Sequence, residues 1–121
     1  MAEMALVTIV DDDESMRQSL PQLVRRLGFQ VRTFVSAEEF LASDSVGQTQ
    51  CLILDVAMPG MSGPDLQREL ARRGQKIPIV FITGQTDEVL RRQLLADGAI
   101  DCLFKPFDAQ ALLKALNAAL R

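Results

Sequence analysis

The chain has 121 residues, which predicts one domain, 1–121, able to bury roughly two-thirds of its unfolded surface without a disulfide or structural metal. It carries 13 basic and 16 acidic side chains, a net charge of −3 and a pI near 4.9, which argues against an electropositive surface for nucleic acid or anionic membranes. No apolar stretch approaches the length of a membrane span, so we expect a cytoplasmic chain.

Five short segments predict β-strands, three of them as continuous apolar runs and two as weaker patterns. The continuous runs are residues 6–10, 51–54 and 79–82, and the weaker segments are 30–34 and 101–104. Continuous rather than alternating apolar residues are typical of strands buried on both faces of a parallel sheet. Apolar residues at helical spacing over 16–27 and 112–120 predict the first and last helices.

Helix boundaries are indicated by three glycines that follow helical segments, where a left-handed cap favours glycine; they are Gly28, Gly74 and Gly98. Ser36 and Glu39 form a capping-box pattern that predicts the start of a short helix. Pro21 lies inside the first helix and is expected to bend it. Strand and helix thus alternate five times, which predicts an α/β fold with a doubly wound, five-stranded parallel sheet. We take its strand order to be the flavodoxin-like 2-1-3-4-5, one of the common orders of such sheets.

The cysteine and histidine content limits the kinds of reaction and metal site that the chain can provide. Cys51 and Cys102 lie in apolar segments without zinc-site spacing, so we expect buried reduced thiols and no disulfide. The chain has no histidine, which excludes histidine-dependent triads and any phosphohistidine step carried by this chain. A phosphoryl group that arrives through histidine must come from another protein.

Polar side chains follow four of the five predicted strands. They are Asp11, Asp12 and Asp13 after the first, Asp55 after the third, Thr83 and Gly84 after the fourth, and Lys105 and Pro106 after the fifth. In open parallel sheets ligands bind beyond the carboxyl ends of the strands. With strands one and three adjacent, we expect Asp11 and Asp12 to lie beside Asp55 in one acidic pocket.

Three ionised carboxylates this close repel one another, at a cost of ~4 kcal/mol for each pair about 4 Å apart at an effective dielectric near 20. Lys105 would leave a formal charge of −2, which one divalent cation would cancel. Mg²⁺ fits best, because it prefers hard oxygen ligands and is commonly held by carboxylates together with a phosphate oxygen. Asp55 would then be the nucleophile toward a phosphoryl donor, forming an acyl phosphate.

Each of these signals has a plainer structural interpretation when taken alone. Acidic residues before a helix usually cap it, and Asp13 or Glu14 can do only that. A threonine at a strand end reflects β-propensity, and a Lys-Pro pair is usually a turn. Acids, a hydroxyl and a lysine at four strand ends of one fold favour the phosphoacceptor hypothesis.

The sequence resembles the receiver domains of bacterial two-component response regulators, over essentially its whole length. The matching motifs are Ile-Val-Asp-Asp at 9–12, Leu-Asp-Val-Ala-Met-Pro-Gly-Met-Ser-Gly at 54–63, Ile-Thr-Gly at 82–84 and Lys-Pro-Phe at 105–107. The last two look closest to the FixJ-like group. The resemblance implies a phosphorylation-dependent switch in a phosphorelay, a histidine kinase or small phosphodonor as its source of phosphate, and a homodimer as one outcome of phosphorylation.

The resemblance also implies roles for the site residues. Asp55 matches the phosphoacceptor, and Asp12 and Asp55 match the carboxylate ligands of Mg²⁺. The Ala57 carbonyl matches a third ligand, and Asp11 is expected to act mainly through water.

The switching residues follow from the same resemblance. Thr83 matches the hydroxyl that moves to meet the phosphoryl group, and Lys105 matches the ammonium that pairs with it, with a cis Lys105–Pro106 bond. Cys102 departs from the family, which often carries at this position an aromatic residue that swings inward. A relay based on a swinging ring is therefore not expected. We expect the signal to travel instead through backbone shifts at 83–86 and in the following helix.

Two other functions, a phosphatase and a phosphorylation-silent interaction module, agree with the sequence less well. Asp11-x-Asp13 superficially resembles the nucleophile motif of haloacid-dehalogenase-type phosphatases, but Ser15 departs from it, the chain lacks room for a cap domain, and Asp55 would be unexplained. A phosphorylation-silent interaction module would lack the acceptor or the lysine, and both are present. FixJ-like relatives usually carry a helix-turn-helix DNA-binding domain after the receiver. Any nucleic-acid binding is therefore expected from such a domain beyond Arg121. The chain fits either a fragment of a transcription regulator or a free-standing receiver.

Overall fold

A computed structural model describes residues 4–121 as alternating strands and helices. The strands are β1 (Leu6–Val10), β2 (Gln30–Phe34), β3 (Cys51–Asp55), β4 (Ile79–Thr83) and β5 (Asp101–Phe104). The helices are α1 (Glu14–Arg26), α2 (Ala37–Leu41), α3 (Gly63–Arg72), α4 (Glu88–Ala96) and α5 (Ala109–Ala119), with a 3-10 turn at Asp44–Gly47. The described residues include no helix with the length and apolar character needed to span a bilayer.

The five strands form one parallel sheet in the order β2-β1-β3-β4-β5, which confirms the predicted doubly wound fold. Two strands are one residue longer than predicted. Asp55 pairs with Ile82, and Thr83 pairs with Phe104, so the two polar residues are the last members of β3 and β4. Their backbone geometry is therefore fixed by the sheet rather than by a loop.

The sheet separates two apolar cores, because successive side chains of a strand point to opposite faces. On one face α1 and α5 pack against residues such as Val7, Ile9 and Ile53. On the other face α2, α3 and α4 cover residues such as Leu54 and Phe81. Burial on both faces explains why four of the five residues in each of β1, β3 and β4 are apolar.

The helix boundaries largely follow the predicted signals. The three predicted cap glycines have positive φ: Gly28 100°, Gly74 74° and Gly98 107°. Ser36 caps α2 by accepting from the Glu39 amide, but Glu39 accepts from Val35 rather than closing a capping box. The complete capping box lies at the start of α3, between Ser62 and Asp65, and was not predicted.

The cysteines and Pro21 lie in the apolar interior. Both thiols are free and buried as predicted, and burial raises the pKa of Cys51 to about 12 and that of Cys102 to about 11. Both thiols are therefore protonated at neutral pH. Pro21 is buried within an α1 that continues through it, and a bend at this position stays a prediction.

Candidate functional site

Three carboxylates converge at the carboxyl ends of β1 and β3. Asp11, Asp12 and Asp55 each place a carboxylate oxygen within 4.8 Å of the others, with Asp11 and Asp55 buried and Asp12 exposed. Val10 pairs with Leu54 across the two strands, so the acids that follow lie side by side. We call these three residues the acid pocket; its existence was expected from the strand ends.

The chain leaves β1 in a turn that holds Asp11 in place. One carboxylate oxygen of Asp11 accepts a hydrogen bond from the Asp13 amide, 2.9 Å away. Asp13 in turn is the N-cap of α1 and accepts from the Ser15 amide, and Arg17 donates to the Asp11 carbonyl at 3.0 Å. Asp13 thus has the capping role that its position allowed. Its carboxylate is engaged there, which argues against a phosphatase that would use Asp13 as a catalytic acid.

The second carboxylate oxygen of Asp11, Oδ2, is buried without a hydrogen-bond partner. Lys105 Nζ lies 3.5 Å from it, an ion pair in which the lysine is about one-quarter exposed and the aspartate fully buried. A buried anionic oxygen with no hydrogen bond is costly. Hard oxygen donors in this state are what Mg²⁺ binds well, so the residues present fit the predicted ion.

Asp55 has an unusual proton affinity. Burial, followed by the negative charge of Asp11, raises its pKa from 3.8 to about 7, and Lys105 only partly opposes the effect. The physical cause is that the carboxylate is desolvated beside a second anion. Without additional positive charge, the acid pocket therefore tends to retain a proton on Asp55, whereas a divalent cation would favour the ionised carboxylate.

Thr83 and Lys105 are joined through the backbone at the other side of the pocket. The Lys105 amide donates to the Thr83 carbonyl at 2.8 Å, continuing the ladder between β4 and β5. Thr83 Oγ1 is buried and accepts a hydrogen bond from the Gln85 amide at 3.1 Å. The Lys105–Pro106 bond is cis, as the resemblance implied.

The segment after β3 carries the remaining predicted site residue and one that was missed. Ala57 is exposed in the loop between β3 and α3, and its carbonyl accepts no hydrogen bond in the part of the chain that the structure describes. Gly63 begins α3 so close to β3 that an added Cβ would overlap the Asp55 carbonyl oxygen and press on the Phe81 ring. Gly63 belongs to the motif at 54–63, but only the packing shows why glycine is needed there.

Cys102 lies in the core on the α4 side of the sheet. Its carbonyl accepts from Arg91 Nε at 3.4 Å, and Arg91 Nη2 lies 3.2 Å from Asp101 Oδ1. This link between α4 and β5 was not predicted, because neither residue belongs to a recognisable motif.

An apolar cleft of about 440 Å³ opens beside Lys105, between α1 and the start of the segment leading to α5. Its apolar lining comes mainly from Met16, Leu20, Leu23 and Phe107. The cleft is adjacent to the acid pocket through Lys105 itself, so a molecule seated there would reach the pocket.

The family of response regulator receiver domains matches residues 7–117. Nodulation protein W of Bradyrhizobium diazoefficiens is 50% identical over 115 residues, 95% of this chain and 51% of that protein. FixJ of Azorhizobium caulinodans is 38% identical over 120 residues, 99% of this chain and 57% of FixJ. The structure of the response regulator StyR has a TM-score of 0.88 and 45% identity, covering 98% of this chain and 60% of StyR. The chain spans about half the length of the curated relatives it matches.

A doubly wound sheet with charged side chains at the ends of its central strands defines an α/β domain that binds its ligand at the topological switch point. The chain belongs to the receiver domains of response regulators, the phosphorylation-dependent switches of two-component signalling. The similarity to FixJ agrees with the resemblance drawn from the motifs.

Proposed function

We propose that Asp55 is the residue of this switch that accepts the phosphoryl group. The observation that carries the proposal is the convergence of Asp11, Asp12 and Asp55, with Lys105 at 3.5 Å from the buried Asp11 oxygen. Asp55 is the acid that ends the central strand β3, and its raised pKa is the mark of a functional carboxylate rather than of a surface one.

The reaction is an in-line phosphoryl transfer. A carboxylate oxygen of Asp55 forms a bond to phosphorus, the bond from phosphorus to the donor's leaving group breaks, and the leaving group keeps that electron pair and takes a proton from solvent. The donor is a phosphohistidine of a kinase or a small acyl phosphate. Water later attacks the aspartyl phosphate and restores the carboxylate, so the domain turns over only its own modification and is a switch rather than an enzyme acting on other substrates.

Asp12, Asp55 and the Ala57 carbonyl are the proposed ligands of Mg²⁺, with Asp11 acting mainly through water. Bound there, the ion would offset the repulsion between the carboxylate and the anionic donor. Asp11 holds its place through the Asp13 amide, and its free buried oxygen faces a cation or an ordered water in this scheme.

Thr83 and Lys105 are the residues proposed to contact the phosphoryl group and to move when Asp55 is phosphorylated. The phosphoryl group adds about −1.5 to −2 charge and three acceptor oxygens. The Thr83 hydroxyl accepts from the Gln85 amide and still has its own proton to donate to these oxygens, and Lys105 can pair with them because its ammonium carries three donors. Because the two residues share a backbone hydrogen bond, movement of one is passed to the other and to the loop that leads into α4.

The test is phosphorylation by acetyl phosphate with Mg²⁺, read as the mass of the intact protein. Wild type should gain one phosphoryl group, and Asp55→Asn and wild type in excess chelator should gain none. Asp12→Asn should be labelled more slowly and need more Mg²⁺. Labelling of the Asp55→Asn variant at the wild-type rate would move the acceptor to another residue.

The phosphodonor, the location, the output and the oligomeric state of the domain are also proposals. A histidine kinase fits as the phosphodonor, because the chain has no histidine of its own, and the apolar cleft beside Lys105 is where such a partner would seat. We further propose residues 1–121 as one cytoplasmic domain that controls transcription, as the name transcriptional regulatory protein of FixJ suggests, and that forms a homodimer on phosphorylation. Its output would pass through a C-terminal helix-turn-helix domain, as the resemblance to FixJ-like regulators implies. The domain itself is not proposed to bind nucleic acid.

A further inference from the structure

The loop between β3 and α3, residues 56–62, has few hydrogen bonds to the rest of the protein. Val56 continues the ladder to β4, and Ser62 bonds within the capping box of α3. Of the hydrogen bonds that the described residues make, one joins residues 57–61 to another element: the Met61 amide donates to Glu38 Oε2 at 3.1 Å. Glu38 lies on α2, and the two residues are 23 positions apart.

Gly60 lies against the same carboxylate oxygen of Glu38. Its φ is +74°, in the left-handed region that favours glycine. A Cβ at this position would lie 2.6 Å from Glu38 Oε2, closer than such atoms approach. Glycine therefore serves two purposes here, since it permits the turn and leaves room for the carboxylate.

The neighbouring Glu39 shows what an ordinary carboxylate at a helix start does. It accepts from the Val35 amide, four residues away, and so links α2 only to the segment that enters it. Glu38 and Glu39 are both exposed and both lie in the first turn of α2. They differ in the segment to which each is hydrogen-bonded, because the Glu38 carboxylate bonds to the loop that carries Ala57.

We propose that Glu38 is a positioning residue for the metal site, which it serves by fixing the loop that presents the Ala57 carbonyl. The proposal rests on the function proposed above, in which that carbonyl is a ligand. Met58 secures the loop by its buried side chain, while the Glu38 bond fixes the backbone beyond it. Without that bond the loop would sample other conformations, and Mg²⁺ would have to select the competent one at a cost in affinity.

The experiment measures the dissociation constant of Mg²⁺ by calorimetry in Glu38→Ala, Glu38→Gln and Glu39→Ala. Glu38→Ala should raise the constant about three- to tenfold, the loss expected from one hydrogen bond of ordinary net strength at an exposed site. Glu38→Gln keeps an acceptor oxygen for the Met61 amide and should retain most of the affinity. Glu39→Ala should bind as wild type does. Urea unfolding of each variant, and the amide shift of Met61, show whether the fold is intact and the bond lost.

Gly60→Ala adds a second route to the same loop. It should also weaken Mg²⁺ binding, and less so in a Glu38→Ala background, where the carboxylate that the new methyl would meet is gone. Equal Mg²⁺ affinity in Glu38→Ala and wild type refutes the positioning role while leaving the proposed function intact. Equal losses in the Gln and Ala variants would mean that charge, rather than the hydrogen bond, matters. A wild type that binds no Mg²⁺ would sink both proposals.

Discussion

Strand β1 carries a buried hydroxyl at its centre and is followed directly by a buried acid, and the two polar groups differ in whether they are hydrogen-bonded. Thr8 and Thr49 place their hydroxyl oxygens 2.6 Å apart, and Thr49 donates to the Ser45 carbonyl at 2.7 Å. The proton of Thr49 is used there, so Thr8 donates to Thr49 and each hydroxyl is bonded. We call Thr8, Ser45 and Thr49 the hydroxyl network.

The acid pocket begins at Asp11, three residues after Thr8, and one of its carboxylate oxygens lacks a hydrogen bond. Asp11 Oδ2 has no hydrogen bond, and Asp55 has a raised pKa. Buried polar groups cost stability unless they are paired. The hydroxyl network thus supports the fold, whereas the acid pocket is maintained at a cost that a ligand would relieve.

The largest effect on stability should come from Asp55→Asn. Without divalent cation, wild type should lose stability as the pH rises from about 4 to about 7, because the folded carboxyl binds its proton more tightly than the unfolded one. At pH 8 the Asn variant should be roughly 2–4 kcal/mol more stable than wild type, since one pKa unit corresponds to about 1.4 kcal/mol. Urea unfolding by circular dichroism in chelator at pH 4 and pH 8 measures both values.

The control for this pH dependence is the variant itself. Asp55→Asn should have a flatter stability profile between those two pH values, with the difference from wild type vanishing at the acidic end. A wild type that is most stable at pH 8 in chelator would mean that Asp55 is not destabilised by its surroundings.

Thr8→Val tests the hydroxyl network with nearly equal volume. It removes the donor to Thr49 and should lower the free energy of unfolding by about 0.5–1.5 kcal/mol, the net contribution of one hydrogen bond. Phosphorylation by acetyl phosphate should be unchanged. A variant as stable as wild type would show that the network contributes nothing net.

Thr83→Val is the matched change beside the acid pocket and should have the smallest effect on stability. The Thr83 hydroxyl accepts one hydrogen bond from an exposed turn, so the free energy of unfolding should change by less than about 0.5 kcal/mol. The effect should fall on switching, since the amide shifts of residues 84–104 on adding beryllium fluoride should shrink. The same shifts should persist in Cys102→Ala, which has no ring to relocate. If Cys102→Ala lost them and Thr83→Val kept them, Cys102 would be part of the relay.

The five strands and the composition of the acid pocket could be predicted because they depend on local patterns, whereas the strand order came from the class of fold. Apolar runs mark buried strands, and in a parallel sheet the residue after each run lies at the same edge. Asp55 and Thr83 were expected just after their strands, but each extends the ladder by one pair, a detail that a hydrophobic run cannot report because polar residues end it.

The side-chain pairings between distant residues could not be predicted. The bond from Glu38 to Met61, the link of Arg91 to Asp101 and the hydroxyl network each join residues that no period or motif relates. The capping box of Ser62 and Asp65 is different, because its spacing is visible in the sequence. It overlaps the motif at 54–63, which was interpreted as part of the functional site and not as the start of a helix.

We expect the close packing of Gly63 against the Asp55 carbonyl to set the direction of movement in the switch. On that side α3 lies against β3 and the Phe81 ring of β4, and close-packed atoms resist further compression. The opposite side ends in an exposed turn at residues 84–87. Strain introduced at Asp55 is therefore expected to be released toward this turn and α4, while the first turn of α3 stays in place.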